Sequence, residues 1–343
     1  MAETTREWYL RAARELAASS ARQHEWCHGV ADDARMLALL DALPRPARQP
    51  SLLFAVAAHH GAPDAAYPVW AQHVRSAWAG IAAELPRRRV QTNEPGRTAP
   101  LAVALGRIRG PIALVELGAA AGLCLLPDRY GYRYRTPDAV ITCGASPLTL
   151  DVEVDDAALV PPGVPDIRWR RGIDLAPLDV RCPDDVRWLE ASLPPDRPDR
   201  LARLRAAHAI AAADPPEIVA GDALAALDRV VADAPTDATL VVAALGTAVY
   251  LPPAARAGLL ATVRAHGARA VTFEARTALP EVAERWAALA ADGRVDPAAG
   301  FVLALDGEPI ASGTPHGDRL TSPSPVPVPV PESTHFGGNE ARK

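Results

Sequence analysis

An acid and two glycines follow the first strongly apolar segment of the chain. Residues 112–115 form a short apolar run that ends at Glu116, and Gly118 and Gly122 follow in a turn of small residues. The leucines of 123–126 then begin a helix-like pattern. A buried strand, a tight turn and a helix would place the free N–H groups of a helix N-terminus against a nucleotide-like ligand beyond the strand.

Two further acids follow apolar segments later in the chain. Asp174 ends the segment IRWRRGID, and Asp222 follows the short segment IVAG. These segments predict short strands, so Asp174 would end one strand and Asp222 would follow another. Each acid has a structural alternative: an Asp after a strand often only caps a helix, and backbone N–H groups could satisfy Glu116.

The polar segment QTNEPGR, residues 91–97, lies between two apolar stretches and contains turn-forming Asn, Pro and Gly. It predicts either the lining of a substrate pocket or a solvated linker. In the first case Gln91 and Asn93 would contact substrate, and Glu94 could take a proton from a nucleophile. Tyr250, after the apolar run 238–245, is a second candidate for proton transfer, with plain packing as its alternative.

Three arginines are candidates for anion recognition. A guanidinium binds carboxylate, phosphate or sulfate oxygens by two-point hydrogen bonding, which makes Arg97, Arg129 and Arg133 candidates for holding an anionic group. Of these, Arg97 is assigned to the catalytic set and the other two to substrate binding, together with Tyr130. A simple salt bridge is the alternative for each arginine.

The N-terminal part of the chain predicts helices that would cover such a site. Helical spacing is found at 3–20, 31–43 and 65–85, and Ser51 can cap a further helix that Gly61 ends. We therefore predict a helical cap over residues 1–96.

The remaining pattern predicts an α/β fold. Residues 97–320 alternate strands and helices, which predicts a Rossmann-like, mostly parallel sheet with an antiparallel last strand from a hairpin at Asp306-Gly307. An insertion at about 130–165 contains one predicted strand at 139–143. The Pro-rich segment 321–343 is expected to be disordered.

Composition excludes several classes of function. The chain has 343 residues and a formal net charge of −5, so nucleic acid is not expected as the main partner. No apolar run approaches the roughly 18 residues of a membrane span, and the N-terminus lacks the pattern of a signal peptide. Four cysteines without a C-x-x-C pair predict neither a metal site nor disulfides, and favour a cytoplasmic location.

With these elements in order, residues 97–320 resemble the class I S-adenosylmethionine-dependent methyltransferases. The resemblance implies that Glu116, Gly118 and Gly122 approach the methionine part of the cofactor. It implies that Asp174 holds the ribose hydroxyls, that Asp222 lies near the adenine, and that the loop Gly246–Tyr250 carries catalytic groups.

A second resemblance covers residues 30–320 and is more specific. The segments QTNEPGR, LVELGAAAGLCLLPDRYGY, RRGIDLAPLDV, PDRPDRLARLRAA and ADPPEIVAGDAL are similar to an uncharacterised bacterial family, the domain of unknown function numbered 2332. It implies the fold and little chemistry. The chain departs from the expected patterns at Ala120, where a second glycine is usual, and at Cys124 and Ala176, where polar residues are usual.

Three hypotheses follow. The first is a biosynthetic small-molecule transferase that uses S-adenosylmethionine, with the substrate between the sheet and the helical cap. The second is a cofactor-free enzyme on the same fold, in which an amine closes a ring and expels a sulfate or phosphate held by the helix N-terminus and an arginine. The third is a non-catalytic partner of another protein. A homo-oligomer is compatible with each of them.

Overall fold

The computed structural model describes residues 3–324, so the disorder predicted for the C-terminal segment falls, from residue 325 onward, outside the described residues. The helices are α1 (Thr5–Leu16), α2 (Ala21–Asp32), α3 (Ala34–Asp41), α4 (Pro50–His59), α5 (Tyr67–Ser76), α6 (Trp78–Glu84), α7 (Thr98–Leu105), α8 (Pro183–Ala191), α9 (Pro198–Ala213), α10 (Leu227–Val231), α11 (Pro253–Ala265) and α12 (Pro280–Ala291). The strands are β1 (Ile112–Leu117), β2 (Gly131–Arg135), β3 (Val140–Cys143), β4 (Thr149–Val154), β5 (Ile167–Asp174), β6 (Ile218–Ala220), β7 (Thr239–Leu245), β8 (Arg269–Ala275), β9 (Phe301–Leu305), β10 (Glu308–Gly313) and β11 (Arg319–Thr321).

These strands form one sheet with the order β3-β2-β4-β11-β10-β9-β8-β7-β1-β5-β6. Strands β6, β5, β1, β7 and β8 run parallel to one another. From β1 the chain proceeds to β5 and β6 on one side and to β7 and β8 on the other. The predicted α/β fold with a mostly parallel sheet is therefore confirmed, and β1 lies at the point where the strand order reverses.

The antiparallel part of the sheet is larger than predicted. Strand β9 is antiparallel to β8, β10 to β9, and β11 to β10. The predicted hairpin turn is present: Asp306 and Gly307 have φ values of 54° and 86°, and two positive values are what a two-residue type I′ turn requires. The sequence predicted one antiparallel last strand, whereas β9, β10 and β11 each pair antiparallel with the strand before them.

The insertion contributes three strands instead of the one predicted. Strand β4 pairs in parallel with both β2 and β11, which joins the insertion to the main sheet. In β4, Leu150, Val152 and Val154 are buried and alternate with exposed residues. This period of two is the usual pattern of a half-buried strand.

Helix α7 lies in the middle of the fold. All eight of its residues are buried, as expected for a helix that is apolar on every side. Strands β8 and β9 pack against it, and Tyr134 of β2 places its hydroxyl 3.5 Å from the carbonyl oxygen of Ala99. The sheet therefore bends around α7.

Helices cover both faces of the parallel strands. Leu114 of β1 belongs to a core shared with α7, the N-terminal helices, α8 and α9, whereas Val115 belongs to a second core with α10, α11 and α12. The helical N-terminal region thus shares a core with one face of the sheet.

Several predicted helix boundaries were wrong. The helix predicted at 31–43 is two helices, because the carboxylate of Asp33 accepts hydrogen bonds from the N–H groups of Arg35 and Met36 and starts α3. Ser51 does not cap α4, which begins with Pro50 at its first position. The helix predicted at 65–85 divides into α5 and α6.

Within residues 3–324, no helix is long and apolar enough to cross a membrane. The same residues contain no group of three or more His, Cys, Asp or Glu side chains placed to hold a metal ion.

Candidate functional site

Buried polar side chains are concentrated at the carboxyl edge of β1 and β8. Of the ten polar or charged residues that are buried in the described chain, seven lie on these strands, on α9 or in the segment that enters α7: Asn93, Glu94, Thr98, Glu116, Arg200, Thr272 and Glu274. Burial of charged groups is costly unless they are paired, and such clusters mark candidate functional sites. Ligands of open α/β sheets bind in the crevice at the strand reversal, here the end of β1.

The polar segment 91–97 crosses this edge and contacts the loops after β1 and β5. Gln91 Nε2 donates to Asp174 Oδ1 at 3.3 Å and to the carbonyl oxygen of Ala176 at 2.7 Å. The side-chain oxygen of Asn93 accepts from the N–H of Leu123 at 2.9 Å. The segment is therefore part of the site's framework, and the solvated-linker alternative does not describe it.

The predicted helix after the glycine turn is absent. Residues Leu123–Leu125 form only a short 3₁₀ turn, preceded by Gly122 with a φ of 75°, and the chain then continues into β2. The prediction of a helix N-terminus at this turn was wrong. The apolar pattern of the leucines in this turn reflects their burial in the core that contains α7, and not one face of a helix.

The N–H groups of the turn have partners inside the protein. Gly118 and Ala119 donate to the carbonyl oxygen of Ile173 at 2.8 and 3.1 Å, and Ala120 donates to Asp174 Oδ2 at 2.8 Å. The N–H of Gly122 donates to the carbonyl oxygen of Ala119. These donors hold the turn against the loop after β5.

Both glycines of the turn face the chain itself. A Cβ at Gly118 would overlap the side chain of Thr247, and one at Gly122 would overlap Pro216. Both glycines also have positive φ values, as does Ala120. In this structure the glycines permit close packing between loops.

The two strand-end aspartates differ in role. Asp174 is half-buried, and its carboxylate accepts from the N–H groups of Ala120 and Ala176 as well as from Gln91. Asp222 is exposed and accepts from the N–H groups of Leu224 and Ala225, both at 3.1 Å. Asp222 thus caps the turn that precedes α10 rather than a helix, and Asp174 fixes two loops.

Glu116 is buried on the face of β1 that packs on α7. Its Oε2 has no hydrogen-bond partner among the described residues. Burial raises the pKa of this carboxyl well above its usual range, Arg97 opposes the shift, and Asp174 adds to it. The alternative that backbone N–H groups satisfy Glu116 is not observed, because no N–H group of the described chain donates to Oε2. Burial therefore favours the protonated form of the Glu116 side chain.

Arg97 is held in a fixed orientation at the end of β7. Its Nη1 donates to the carbonyl oxygen of Leu245 at 2.7 Å, and its Nε donates to that of Pro315 at 3.1 Å. The guanidinium packs on Gly246, where a Cβ would lie 2.5 Å from Nη1. Among the described residues no carboxylate oxygen lies within 4.0 Å of this guanidinium, and Nη2 has no partner there.

Glu274 occupies the matching position at the end of β8. Its Oε1 accepts from the N–H groups of Thr247 and Ala248 at 2.7 and 2.9 Å, and in the described chain its Oε2 has no partner. Burial raises the pKa of Glu274 to about 7, and the two backbone hydrogen bonds oppose the shift. This carboxyl fixes the loop that covers Gly118.

Glu94 forms a buried ion-pair cluster. Its carboxylate accepts from Arg200 Nε at 2.8 Å and from Arg203 Nη1 at 3.0 Å. Burial favours the neutral form, but Arg200 and Arg203 outweigh it and hold the pKa of Glu94 below its usual value. His316 Nδ1 lies 3.9 Å from Glu94 Oε2. A carboxylate held by two guanidiniums is a poor base, so this geometry does not favour Glu94 as the proton acceptor.

The remaining predicted residues lie apart from this cluster. Tyr130 is buried and donates from its hydroxyl to the carbonyl oxygen of Leu123 at 2.8 Å. Arg129 pairs with Asp128 and Asp214, and Arg133 pairs with Asp151 on a solvent-exposed part of β2. For both arginines the salt-bridge alternative describes the geometry.

Three apolar side chains are exposed in the loops on either side of β1. Leu175, after β5, is 64% exposed, and Val249 and Tyr250, after β7, are 46% and 71% exposed. These loops follow the two strands that pair with β1. The packing alternative therefore does not describe Tyr250, which is exposed.

Four residues of the site were not predicted from the sequence: Arg200, Arg203, Glu274 and His316. Glu274 had a usable signal, because it ends an apolar strand as Glu116 does. The two arginines lie three residues apart in the PDRPDRLARLRAA segment that carried the family resemblance. His316 had no comparable signal, since a single histidine in a turn has no pattern.

Comparison with known proteins agrees with this chain-wide pattern. The family model described as an uncharacterized protein conserved in bacteria (DUF2332) matches residues 6–321. The chain belongs to this family. No curated protein and no solved structure matches the chain. The family match includes the helical cap, the insertion and β11, so all the elements that build the crevice belong to the shared sequence.

Proposed function

We propose that this member of the family is an enzyme that acts on an anionic small molecule at the carboxyl edge of β1 and β7. Arg97 would hold the anionic group. The observation that carries the proposal is that two carbonyl oxygens orient its guanidinium, while no described carboxylate neutralises it. A fixed guanidinium with free N–H groups is suited to two-point binding of sulfate, phosphate or carboxylate.

Glu116 would act beside this anion. Burial favours the protonated form of this carboxyl, and a protonated carboxyl can donate a hydrogen bond to an oxyanion, as an ionised carboxylate cannot. The oxygen without a partner supports this role. A guanidinium and a neutral carboxyl together would stabilise negative charge that develops on a leaving oxygen.

S-adenosylmethionine fits the described residues poorly. Thr247 packs on Gly118, Pro216 packs on Gly122, and the carboxylate of Asp174 accepts three hydrogen bonds from within the chain. Three of the positions that the methyltransferase resemblance assigns to the cofactor, Gly118, Gly122 and Asp174, thus contact the protein itself, which favours the hypothesis without the cofactor. Of the two enzyme hypotheses we therefore propose the second, an internal substitution that expels a sulfate or phosphate group.

Ligand binding tests the proposal without knowledge of the substrate. Thermal unfolding of the wild type would be measured in sulfate and phosphate against chloride at equal ionic strength, with Arg97→Gln and the matched surface variant Arg133→Gln. Sulfate stabilises many proteins nonspecifically, so the specific effect is the part lost in Arg97→Gln and kept in Arg133→Gln. At ten times Kd it corresponds to about 1.4 kcal/mol.

Equal stabilisation of the wild type and Arg97→Gln would overturn the anion site. Calorimetric titration with S-adenosylmethionine and S-adenosylhomocysteine tests the competing hypothesis in the same preparations. We expect no heat of binding, and saturable binding of either compound would restore the methyltransferase hypothesis.

A further inference from the structure

The turn between β10 and β11 forms one wall of the site. The carbonyl oxygen of Pro315 accepts the hydrogen bond from Arg97 Nε. The backbones of Gly96 and Gly317 touch: a Cβ at Gly96 would overlap the carbonyl oxygen of His316, and one at Gly317 would overlap that of Gly96. The turn is therefore held in place by direct backbone contact with the segment that carries Glu94 and Arg97.

This contact places the imidazole of His316 among charged groups from three elements. Glu94 and Arg97 face it from the segment before α7, Arg200 faces it from α9, and Asp318 faces it from its own turn. Its Nδ1 is buried without a hydrogen-bond partner among the described residues and lies 3.9 Å from Glu94 Oε2.

The surroundings select one tautomer of the imidazole. A proton on Nδ1 would face the Glu94 carboxylate, which Arg200 and Arg203 keep ionised. The distance of 3.9 Å is too long for a hydrogen bond, but catalytic hydrogen bonds are often long before substrate binds. A carboxylate beside Nδ1 leaves the lone pair on Nε2.

We propose that His316 accepts the proton that the substrate nucleophile loses, through Nε2. This inference rests on the proposed function, and it assigns the proton to a nitrogen that is not already held by two guanidiniums, as the carboxylate of Glu94 is. The imidazole is neutral at pH 7, because burial first, and then Arg200, lower the pKa of His316 to about 4, against the opposing effect of Glu94.

In the proposed step an amine nitrogen of the substrate attacks a carbon that carries the sulfate or phosphate oxygen. The new carbon–nitrogen bond forms as the carbon–oxygen bond breaks, and the electron pair of that bond leaves with the oxyanion at Arg97. The amine proton passes to Nε2 of His316. The imidazolium then returns this proton to water, which its low affinity for protons favours.

Carbethoxylation by diethyl pyrocarbonate tests the inference, because only a neutral imidazole nitrogen has the lone pair that attacks the carbonyl carbon of the reagent. The rate at His316 would be followed by peptide mass spectrometry at pH 5 and pH 8, in the folded protein and in the urea-unfolded chain. Within each state, the ratio of the rate at pH 5 to the rate at pH 8 does not depend on how accessible His316 is to the reagent. With a pKa of about 4 the folded rates should agree within about twofold, whereas an ordinary pKa of 6.5 predicts a drop of about 30-fold at pH 5.

The position of His316 is tested by protection. Sulfate should slow the modification of His316 in the wild type and in Arg133→Gln but not in Arg97→Gln. A 30-fold pH dependence in the folded state, modification at Nδ1, or no modification at either pH would overturn the inference.

The two proposals can fail separately. Thermal stabilisation by sulfate without protection of His316 would leave the anion site intact and exclude His316 as its base. Absence of any specific sulfate effect would overturn the proposed function. The pH dependence of carbethoxylation would still decide whether His316 is a neutral imidazole that reacts at Nε2.

Discussion

The carboxylate of Asp174 accepts a hydrogen bond from the N–H of Ala120 at 2.8 Å, and thereby joins the loop after β5 to the turn after β1. The same side chain also accepts from the N–H of Ala176. Asp174 is the acid that the methyltransferase resemblance assigns to the ribose of a cofactor. Its observed partners are two backbone N–H groups and the side chain of Gln91, so its role in this structure is to hold the loops at this edge of the sheet together.

We predict that Asp174→Ala destabilises the protein with no ligand present. Removal of the carboxylate leaves two or three donors without a partner, which costs about 2–4 kcal/mol in the free energy of unfolding. Urea denaturation would measure it. Asp222→Ala is the matched control, because that acid only caps an exposed turn and should cost about 1 kcal/mol. Equal costs would show that the loop contacts of Asp174 contribute little.

A second prediction concerns the contact between Gly118 and Thr247. Gly118→Ala adds a Cβ that overlaps the threonine side chain at a φ of +71°. Strain of a left-handed residue and overpacking together should cost about 2–5 kcal/mol. In a Thr247→Gly background only the strain remains, so the cost should fall by at least about 1 kcal/mol. A double-mutant cycle by thermal unfolding measures this coupling, and strict additivity would contradict the contact.

The fold could be predicted in outline because its signals are local. The buried strand Thr239–Leu245 is a continuous apolar run, and Asp306-Gly307 has the residues of a two-residue hairpin turn. The insertion was underestimated, because β4 joins the main sheet by pairing with β11, a three-residue strand from the far end of the chain. Such pairing has no local signature.

The site could be predicted only in part, for the same reason. The sequence brought Glu116, Arg97 and the segment 91–97 to one edge through the parallel strand order. It could not show that Thr247 covers Gly118, or that His316 reaches Glu94 from the far end of the chain. The buried leucines after Gly122 have the same spacing whether they enter a helix or fill the core around α7, so the pattern alone did not distinguish the two.

A third prediction separates a structural role of Glu94 from a catalytic one. Glu94→Gln leaves the buried guanidinium of Arg200 without its counter-charge and should cost about 3–5 kcal/mol. Glu281→Gln is the matched control, since that carboxylate also pairs with two arginines, Arg264 and Arg285, but is more exposed, and it should cost about 1 kcal/mol or less. The double variant Glu94→Gln/Arg200→Met should recover part of the loss in urea denaturation. A fully stable Glu94→Gln would contradict the structural role.

The last prediction concerns the pH dependence of stability through Glu274. Its pKa is raised from 4.5 to about 7 in the folded state, so between these values the folded protein holds a proton that the unfolded chain releases. Stability from this group is therefore complete below pH 4.5 and is lost as pH rises through 7, by about 3 kcal/mol in all. In Glu274→Gln the amide oxygen can still accept from Thr247 and Ala248, while no charge is buried. Urea denaturation should therefore find Glu274→Gln close to the wild type in stability at pH 4.5 and more stable than the wild type at pH 9. The exposed control Glu284→Gln should follow the wild type at both pH values. If Glu274→Gln instead has the pH profile of the wild type, Glu274 is ionised throughout.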